Sequence, residues 1–184
     1  QCVRHAAVRA IGGIGEAAAT PEIIAGLLSA LSNEAEDVRR AALKAIGGIG
    51  GAVAIPEFLA GLLNVLGDED SDVRHAALEA IGDIGEVVAT PEIIAGLLNA
   101  LGDKIGGARC AAAGAIGEIG TAAGTEEILA GLAIGLRDED SDVRRTVVRA
   151  LTKIGEAAAT PEIIAGLLNA LCDEDKDVRE AAAW

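Results

Sequence analysis

A period of 35 residues constrains this chain more than any other feature. The tripeptide Asp-Val-Arg recurs on that period without insertion or deletion, and Cys2-Val3-Arg4 and Gly107-Ala108-Arg109 are its degenerate copies. A period of this length is typical of a solenoid, in which each repeat buries its apolar face only against its neighbours. We therefore expect residues 1–184 to form one domain. Its repeat units are residues 2–36, 37–71, 72–106, 107–141 and 142–176, with a partial unit at 177–184.

The composition limits both the core and the classes of partner. Hydrophobic residues make up 51% of the chain and aromatic residues 1%, so we expect a core of Ala, Val, Ile and Leu. A formal net charge of -14 would repel a phosphate backbone, and stacking platforms for bases are almost lacking. We therefore expect no nucleic-acid partner. No apolar run has the length of a membrane span, so we also expect no membrane partner.

The three cysteines indicate a compartment. Cys2, Cys110 and Cys172 fall at three different positions of the repeat and have no Cys-x-x-Cys spacing. An odd, scattered set of cysteines is typical of free thiols in a reducing environment. The sequence therefore predicts a cytoplasmic protein.

Each repeat has the pattern of two helices. In unit 72–106, apolar residues from Val73 to Ile84 follow the spacing of an amphipathic helix, and Gly85 can adopt the left-handed conformation that ends it. A second apolar pattern begins after Thr90-Pro91, where Thr is suited to the N-cap and Pro to the first helical position. The same Gly and Pro punctuation recurs in other units. We call the helix after Thr-Pro the first helix of a pair, and the helix that carries Asp-Val-Arg the second helix.

This pattern resembles the HEAT repeat family, and within it the HEAT-like repeats of the phycobilisome-lyase type. The specific part of the resemblance is an Asp in the turn before the second helix, followed six residues later by an Arg on that helix. It implies an all-α, right-handed solenoid of about five helix pairs, in which these side chains form a ladder between adjacent repeats. Because Asn33 replaces the Asp before Arg39, we expect that rung to be weaker. The members of the Asp–Arg ladder are Asp68, Arg74, Asp103, Arg109, Asp138, Arg144, Asp173 and Arg179.

No motif in the chain predicts catalysis, a metal or a cofactor. Asp68, Asp70, Asp72 and Glu79 match four positions of an EF-hand loop, but Val73 stands where the loop requires Gly. Helix capping is the better interpretation of these carboxylates. His5 and His75 occupy the same repeat position two units apart, too far to share a metal or form a catalytic pair. We therefore expect a protein that is not an enzyme.

The outward positions of the second helix vary between units, whereas positions that hold a solenoid together must repeat. Residues four apart share a helix face, and by resemblance to HEAT arrays this face lines the concave surface. The face is therefore either a solvated surface whose residues vary without selection or a groove for a partner. Such a groove would be mostly basic, with Glu79 and Glu180 as its acidic residues. We call this set the second-helix stripe: His5, Arg9, Arg40, Lys44, His75, Glu79, Cys110, Arg145 and Arg149.

These observations favour a non-catalytic protein–protein interaction scaffold. Its expected partner is an acidic or mixed-charge segment of another protein, bound on the concave second-helix face. One alternative, from the subtype resemblance alone, is an accessory subunit of a bilin lyase-type enzyme. The other is a consensus-like or designed array without a natural partner, because 16–31 and 156–171 agree at 15 of 16 positions.

The two ends of the array predict self-association. The first helical segment lacks a paired helix, so Val3, Ala7, Ala10 and Ile14 should face water, and residues 177–184 alone cover Ile163, Leu167 and Leu171 at the other end. Apolar layers of this kind are adhesive. We therefore expect either a fragment of a longer array or end-to-end contact between copies.

Overall fold

The computed structural model describes residues 10–11, 13–53, 56–66 and 68–183. Ten α-helices with assigned bounds lie in this part of the chain, and first and second helices alternate along it. The first helices are α1 (Pro21–Leu31), α3 (Pro56–Leu66), α5 (Pro91–Leu101), α7 (Glu126–Gly135) and α9 (Pro161–Ala170). The second helices are α2 (Glu36–Ile49), α4 (Ser71–Ile84), α6 (Gly106–Ile119), α8 (Ser141–Ile154) and α10 (Lys176–Ala183). The predicted all-α helix pairs are confirmed.

Short polar side chains cap several of the helices, whereas Ala35 and Ile105, at the N-caps of α2 and α6, make no such hydrogen bond. The Oγ1 of Thr20 accepts a hydrogen bond from the backbone N–H of Ile23, and Thr160 does the same for α9. At the second helices, Asp70 caps α4 and Asp140 caps α8 through backbone N–H groups of their first turns. These caps satisfy N–H groups that have no acceptor inside the helix. The sequence pattern therefore sets the helix starts locally.

A glycine ends each second helix from α2 to α8 and opens a short 3-10 turn. At Gly85, φ is 74° and ψ is -146°, and Gly50, Gly120 and Gly155 have nearly the same angles. The positive φ agrees with the prediction. The ψ value places these residues outside the left-handed helical region, in a region that glycine alone adopts without large strain.

The chain divides into two compact units, which we call unit 1 (Gln1–Ile93) and unit 2 (Ile94–Trp184) and which are distinct from the 35-residue repeat units. In unit 1, the core contains Leu27, Leu43 and Ile46 together with Phe58, whose ring is fully buried. In unit 2, it contains Ile116, Leu132, Val147 and Ile154. The predicted aliphatic core is thus present in both. Among the described residues, no helix is long and apolar enough to cross a bilayer.

Second helices approach each other closely within a unit. A Cβ built on Gly117 of α6 would lie 2.9 Å from the Cα of Ala150 on α8, and one built on Gly47 of α2 would meet Asp83 and Ala80 of α4. Since such distances are too short for a real side chain, glycine at this position allows the two helices to pack backbone against backbone.

The ends differ in part from the prediction. Ala10 and Ile14 are exposed, while Val3 and Ala7 lie outside the described residues. At the other end, Ile163 is buried and Leu167 is half-buried, so thin cover by 177–184 is wrong for Ile163. Leu171, at the C-cap of α9, is 44% exposed, as the thin cover predicts, and Ile164 and Leu168 of α9 are exposed as well.

Candidate partner-binding surface

Consecutive helix pairs are joined by paired Arg and Asp side chains within unit 1 and within unit 2. On α8, Arg144 Nε and Nη2 donate to the two carboxylate oxygens of Asp173, each at 2.8 Å. The Nη1 of the same guanidinium donates to the backbone carbonyls of Asp138 and Glu139 in the turn before α8. Arg144 therefore closes the turn before its own helix and holds the turn of the next helix pair.

The pairing joins an Arg on the second helix of one helix pair to the Asp 29 residues later, in the turn before the second helix of the next pair. Arg109 donates from Nε and Nη2 to Asp138, both at 2.7 Å. In unit 1, Arg39 Nη2 donates a hydrogen bond to one carboxylate oxygen of Asp68 at 2.9 Å. Arg39 Nε lies 2.8 Å from the other oxygen of the same carboxylate, close enough for an ion pair, but it donates no hydrogen bond to it.

The expectation that Asn33 weakens the rung at Arg39 is wrong. The carboxylate that pairs with Arg39 is Asp68 of the next helix pair, and Arg39 contacts residue 33 only at its backbone carbonyl, which any residue provides. The Asn33 side chain accepts a hydrogen bond from the backbone N–H of Ala35. The rung at Arg39 is less well aligned than the one at Arg144, but Asn33 is not the cause.

The remaining ladder residues make the corresponding turn contacts. Arg74 Nη1 donates to the carbonyls of Asp68 and Glu69, and Arg179 Nη1 donates to that of Asp173. Asp103 accepts a hydrogen bond from the backbone N–H of Ile105. The Asp side chains therefore cap their own turns as well.

Two ladder carboxylates have shifted acidities. Hydrogen bonds from Arg144 hold the pKa of Asp173 below its ordinary value of 3.8, in spite of burial. At Asp138, burial is the largest single influence and raises the pKa, but Arg109 and the backbone N–H of Asp140 together outweigh it, so the pKa is also lowered. Both carboxylates are therefore more readily ionised in the folded protein than in an unfolded chain.

This shift predicts acid-dependent stability. A lowered pKa in the folded state stabilises the protein above the ordinary value of 3.8 and loses that contribution as the pH falls through the folded pKa. We expect Asp173→Asn to have a lower melting temperature than the wild type at pH 7, and the difference to shrink as the pH falls below 3.8, the ordinary pKa of the carboxyl group. Thermal unfolding by circular dichroism measures it. A difference that is constant with pH would contradict the linkage.

In unit 1, the stripe carries both signs of charge. Arg40 on α2 forms an ion pair with Asp72 at the start of α4, at 2.9 Å, and Lys44 is exposed one turn further along α2. His75 and Glu79 on α4 are exposed, with 3.6 Å between His75 Nε2 and Glu79 Oε1. His5 and Arg9 lie outside the described residues.

In unit 2, one helix carries most of the basic residues. Arg145, Arg149 and Lys153 stand four residues apart on α8, so they share a face. Arg145 contacts Asp142 at 2.6 Å and Asp177 of α10 at 3.4 Å. Lys153 forms an ion pair with Glu118 of α6.

The neighbouring helix α6 offers small residues opposite this basic row. Cys110 Sγ lies 3.1 Å from Thr146 Oγ1 and is half-buried, and Gly114 follows it one turn later. Neither residue has a long side chain that could cover Arg149, and Arg149 is exposed. Among the residues that the structure describes, Arg149 has no ion-pair partner. Arg149 is therefore the basic side chain of α8 that is most available to a partner.

The prediction of a mostly basic stripe missed the carboxylates beside it. Asp72 and Asp177 each stand 32 residues after the Arg that they contact, at the start of the next second helix. That regular offset is the signal in the sequence that could have identified them. The surface around Arg145 is consequently one of interleaved charge.

Two open depressions lie near the charged residues. The first, of about 560 Å³, lies beside α8 and α10 and is lined by Arg149, Thr152, Lys153, Asp177, Glu180 and Ala181. The second, of about 650 Å³, lies beside the ladder of unit 1 and includes Arg39 and Asp68. Both have charged linings that suit polar segments of a protein better than an apolar ligand.

The residues of the EF-hand-like sequence act as caps. Asp70 Oδ1 accepts hydrogen bonds from the backbone N–H groups of Asp72 and Val73, and Asp68 Oδ1 accepts one from that of Asp70. In the described part of the chain, no group of three or more His, Cys, Asp or Glu side chains has the geometry of a metal site.

Comparison with known proteins identifies the array. The family model for HEAT repeats matches residues 1–62, 59–133 and 129–184. A search of the curated proteins found no match.

Solved structures of repeat proteins share the fold. A designed armadillo repeat protein in complex with a (KR)4 peptide is 21% identical, with a TM-score of 0.71 over 97% of this chain and 88% of that chain. A computationally designed armadillo repeat protein for modular peptide recognition is 23% identical, with a TM-score of 0.61 over 97% of this chain and 90% of that chain. A mutant of Kap121p is 18% identical, with a TM-score of 0.73 over 97% of this chain and 20% of that chain. The fold is an all-α repeat solenoid, and the chain belongs to the HEAT repeat family.

Proposed function

We propose that the chain is a non-catalytic scaffold that binds a mixed-charge segment of another protein along the second-helix stripe. The observation that carries this proposal is the division of roles on α8. The position of Arg144 holds Arg in every 35-residue repeat, and Arg144 is 8% exposed. The position of Arg149 holds different residues in different repeats, and Arg149 is exposed. The side chains that hold the array together are thus buried and paired within it. The side chains at positions that vary remain available to a partner.

The charges of unit 2 favour a mixed partner over a purely acidic one. Arg149 can pair with a carboxylate of the partner, while Glu180 of α10, beside the same depression, can pair with a basic side chain. Because opposite charges on the protein lie close together, a segment of alternating sign matches the surface better than a run of one sign. The (KR)4 complex of the designed armadillo protein supports the general mode, in which a repeat array of this fold accepts a peptide.

Peptide titration tests the proposal. We expect a fluorescent peptide of alternating Glu and Lys to bind more tightly than all-Glu or all-basic peptides, with affinity that falls as salt rises. Arg149→Glu should weaken that binding by about tenfold, because it replaces an attraction by a repulsion. Arg40 and Arg145 are unsuitable for reversal, because each pairs with a carboxylate of the next repeat.

The matched control is Arg137→Glu. It makes the same charge change at an exposed residue in the turn after α7, off the second helices. Binding that Arg149→Glu and Arg137→Glu reduce equally would show that net charge alone attracts the peptide, and would contradict a site on the stripe.

The alternatives and the finer predictions have tests of their own. The following stay predictions: an accessory role in a bilin lyase-type enzyme, the phycobilisome-lyase subtype, the concave placement of the stripe, the right-handed superhelix and the cytoplasmic location. A bilin mixed with the protein would change its absorbance spectrum if the lyase-type alternative held. A consensus-like or designed array without a partner would bind none of the peptides above nonspecific levels.

A further inference from the structure

Two exposed isoleucines of unit 2 stand at positions that are polar in most other repeats. Ile105, in the turn before α6, is 44% exposed, and Ile134, near the end of α7, is 76% exposed. The polar residues at the position of Ile105 are Asp70, Asp140 and Asp175, and those at the position of Ile134 are Asn64, Asn99 and Asn169. Both isoleucines belong to repeats in the interior of the array.

The two turns that border these isoleucines are in direct contact. Arg109 Nη1 donates to the backbone carbonyl of Lys104 in the first turn, at 3.3 Å, and its Nε donates to Asp138 in the second turn, at 2.7 Å. A Cβ built on Gly106 would collide with the carboxylate of Asp140. The turn before α6 therefore lies against the turn before α8.

The equivalent surface of unit 1 shows which side chains share this edge. Glu34 and Asn64 both line the open depression of about 650 Å³ beside the ladder. Lys104 and Ile134 hold those two positions in unit 2. The repeat geometry therefore places Lys104 beside Ile134, with Ile105 next along the turn.

The isoleucine before α6 costs that helix a cap. Asp70 and Asp140 accept hydrogen bonds from backbone N–H groups at the starts of α4 and α8, whereas Ile105 accepts none at the start of α6. The apolar side chain is not buried in return, since nearly half of its surface remains exposed. A residue that breaks a local rule of the fold without a packing gain is typical of a functional position.

Two cations flank the isoleucines in a chain whose formal net charge is -14. Lys104 stands where four other repeats have Glu, and Arg137 is exposed in the turn after α7. Within the described ranges, neither of these two side chains has an ion-pair partner. We call this set the isoleucine patch: Lys104, Ile105, Ile134 and Arg137.

We propose that the isoleucine patch binds a segment of another protein in which carboxylates flank two large apolar side chains. The apolar side chains cover Ile105 and Ile134, because exposed apolar residues that lie together gain from burial. The carboxylates pair with Lys104 and Arg137, which gives the contact its charge preference. The patch lies on the turns between first and second helices, so the proposal does not depend on the partner proposed for the second-helix stripe.

Fluorescence anisotropy with three labelled peptides tests the chemistry of the partner. The first peptide has two leucines flanked by glutamates, the second has serines in place of the leucines, and the third has lysines in place of the glutamates. We expect the first to bind at least tenfold more tightly than the other two. Its affinity should fall as salt rises, because part of the attraction is between charges.

The other repeats supply the variants that remove the patch. Ile105→Asp, Ile134→Asn and Lys104→Glu each introduce the residue that most other repeats have at that position. Each should weaken binding of the glutamate–leucine peptide by about tenfold or more. Ile105→Asp should melt at or above the wild-type temperature, because it adds a cap to α6. A loss of binding in that variant therefore cannot be attributed to unfolding.

Two control variants change the same kinds of side chain elsewhere. Arg149→Glu makes the same charge change as Lys104→Glu, but on α8. Val87→Ala shortens another exposed apolar residue, 63% exposed, to the alanine that other repeats have there. Both should bind the glutamate–leucine peptide as the wild type does. The alternating Glu–Lys peptide has no apolar side chain to cover the isoleucines, so it does not report on this patch.

Three binding results would overturn the proposal: no binding of the glutamate–leucine peptide to the wild type, equal binding of the serine peptide, or wild-type affinity in both Ile105→Asp and Ile134→Asn. Equal losses in Lys104→Glu and Arg149→Glu would also overturn it, because net charge alone would then attract the peptide. Sedimentation equilibrium examines a second copy of the chain as the occupant. Self-association that Ile134→Asn abolishes would assign the patch to that contact and contradict the proposed partner.

Discussion

Replacing Arg144 by alanine should lower the free energy of unfolding by about 2–4 kcal/mol, the scale of a broken buried ion pair. The side chains of Arg144 and Asp173 are only 9% and 12% exposed, so water cannot replace the lost hydrogen bonds freely. The change also removes the donor to the carbonyls of Asp138 and Glu139. Buried acceptors without a donor cost stability beyond the lost attraction.

A double-mutant cycle with Asp173→Ala isolates the pair. The double variant should be less destabilised than the sum of the two single variants, because the second change removes a group that the first had already left unpaired. Arg149→Ala, one turn further along α8 at an exposed position, is the matched control and should change stability by less than about 0.5 kcal/mol. Urea unfolding measures all four proteins. Equal effects of Arg144→Ala and Arg149→Ala would mean that the ladder does not hold the repeats together.

Replacing Gly155 by alanine should lower the free energy of unfolding by about 1–3 kcal/mol, the usual cost of a residue held in a sparsely populated backbone region. Gly155 has φ 72° and ψ -140°, and nothing lies within 4 Å of a Cβ built on it. Crowding is therefore not the cause. The cost comes from the backbone conformation that an L-residue would have to adopt at the end of α8.

Gly114→Ala is the matched control, with an expected effect of opposite sign. Gly114 lies inside α6, and a Cβ there would meet only Thr146 Cγ2 at an ordinary 3.8 Å. Alanine should stabilise the helix by up to about 1 kcal/mol relative to glycine. Thermal and urea unfolding of the two variants provide the comparison. A stabilising effect at both positions would show that the turn after α8 tolerates any residue.

Much of the fold could be predicted from the sequence because its determinants are local. Thr160 and the proline after it mark the start of α9, and Gly155 marks the end of α8, within a few residues of the atoms that they serve. The apolar spacing then shows which side of each helix is buried. Such features act within one or two helical turns, so a single repeat contains them.

The contacts between repeats were harder to predict. Arg39 stands six residues after Asn33 in the sequence, but its carboxylate partner lies 29 residues away, in the turn of the next helix pair. The charge of the stripe was misjudged for a similar reason. Asp177 belongs to the start of a different helix, and only the packing of α10 beside α8 brings it to Arg145.

The division of roles on α8 is the central claim, and one binding titration tests it most directly. The alternating Glu–Lys peptide should be titrated against the wild type, Arg149→Glu and Arg144→Ala at a temperature at which all three are folded. The account predicts that Arg149→Glu loses about tenfold in affinity at an unchanged melting temperature, because a surface charge is reversed. It also predicts that Arg144→Ala binds as the wild type does in spite of its lower stability. Wild-type affinity in Arg149→Glu, or a loss of affinity confined to Arg144→Ala, would contradict it.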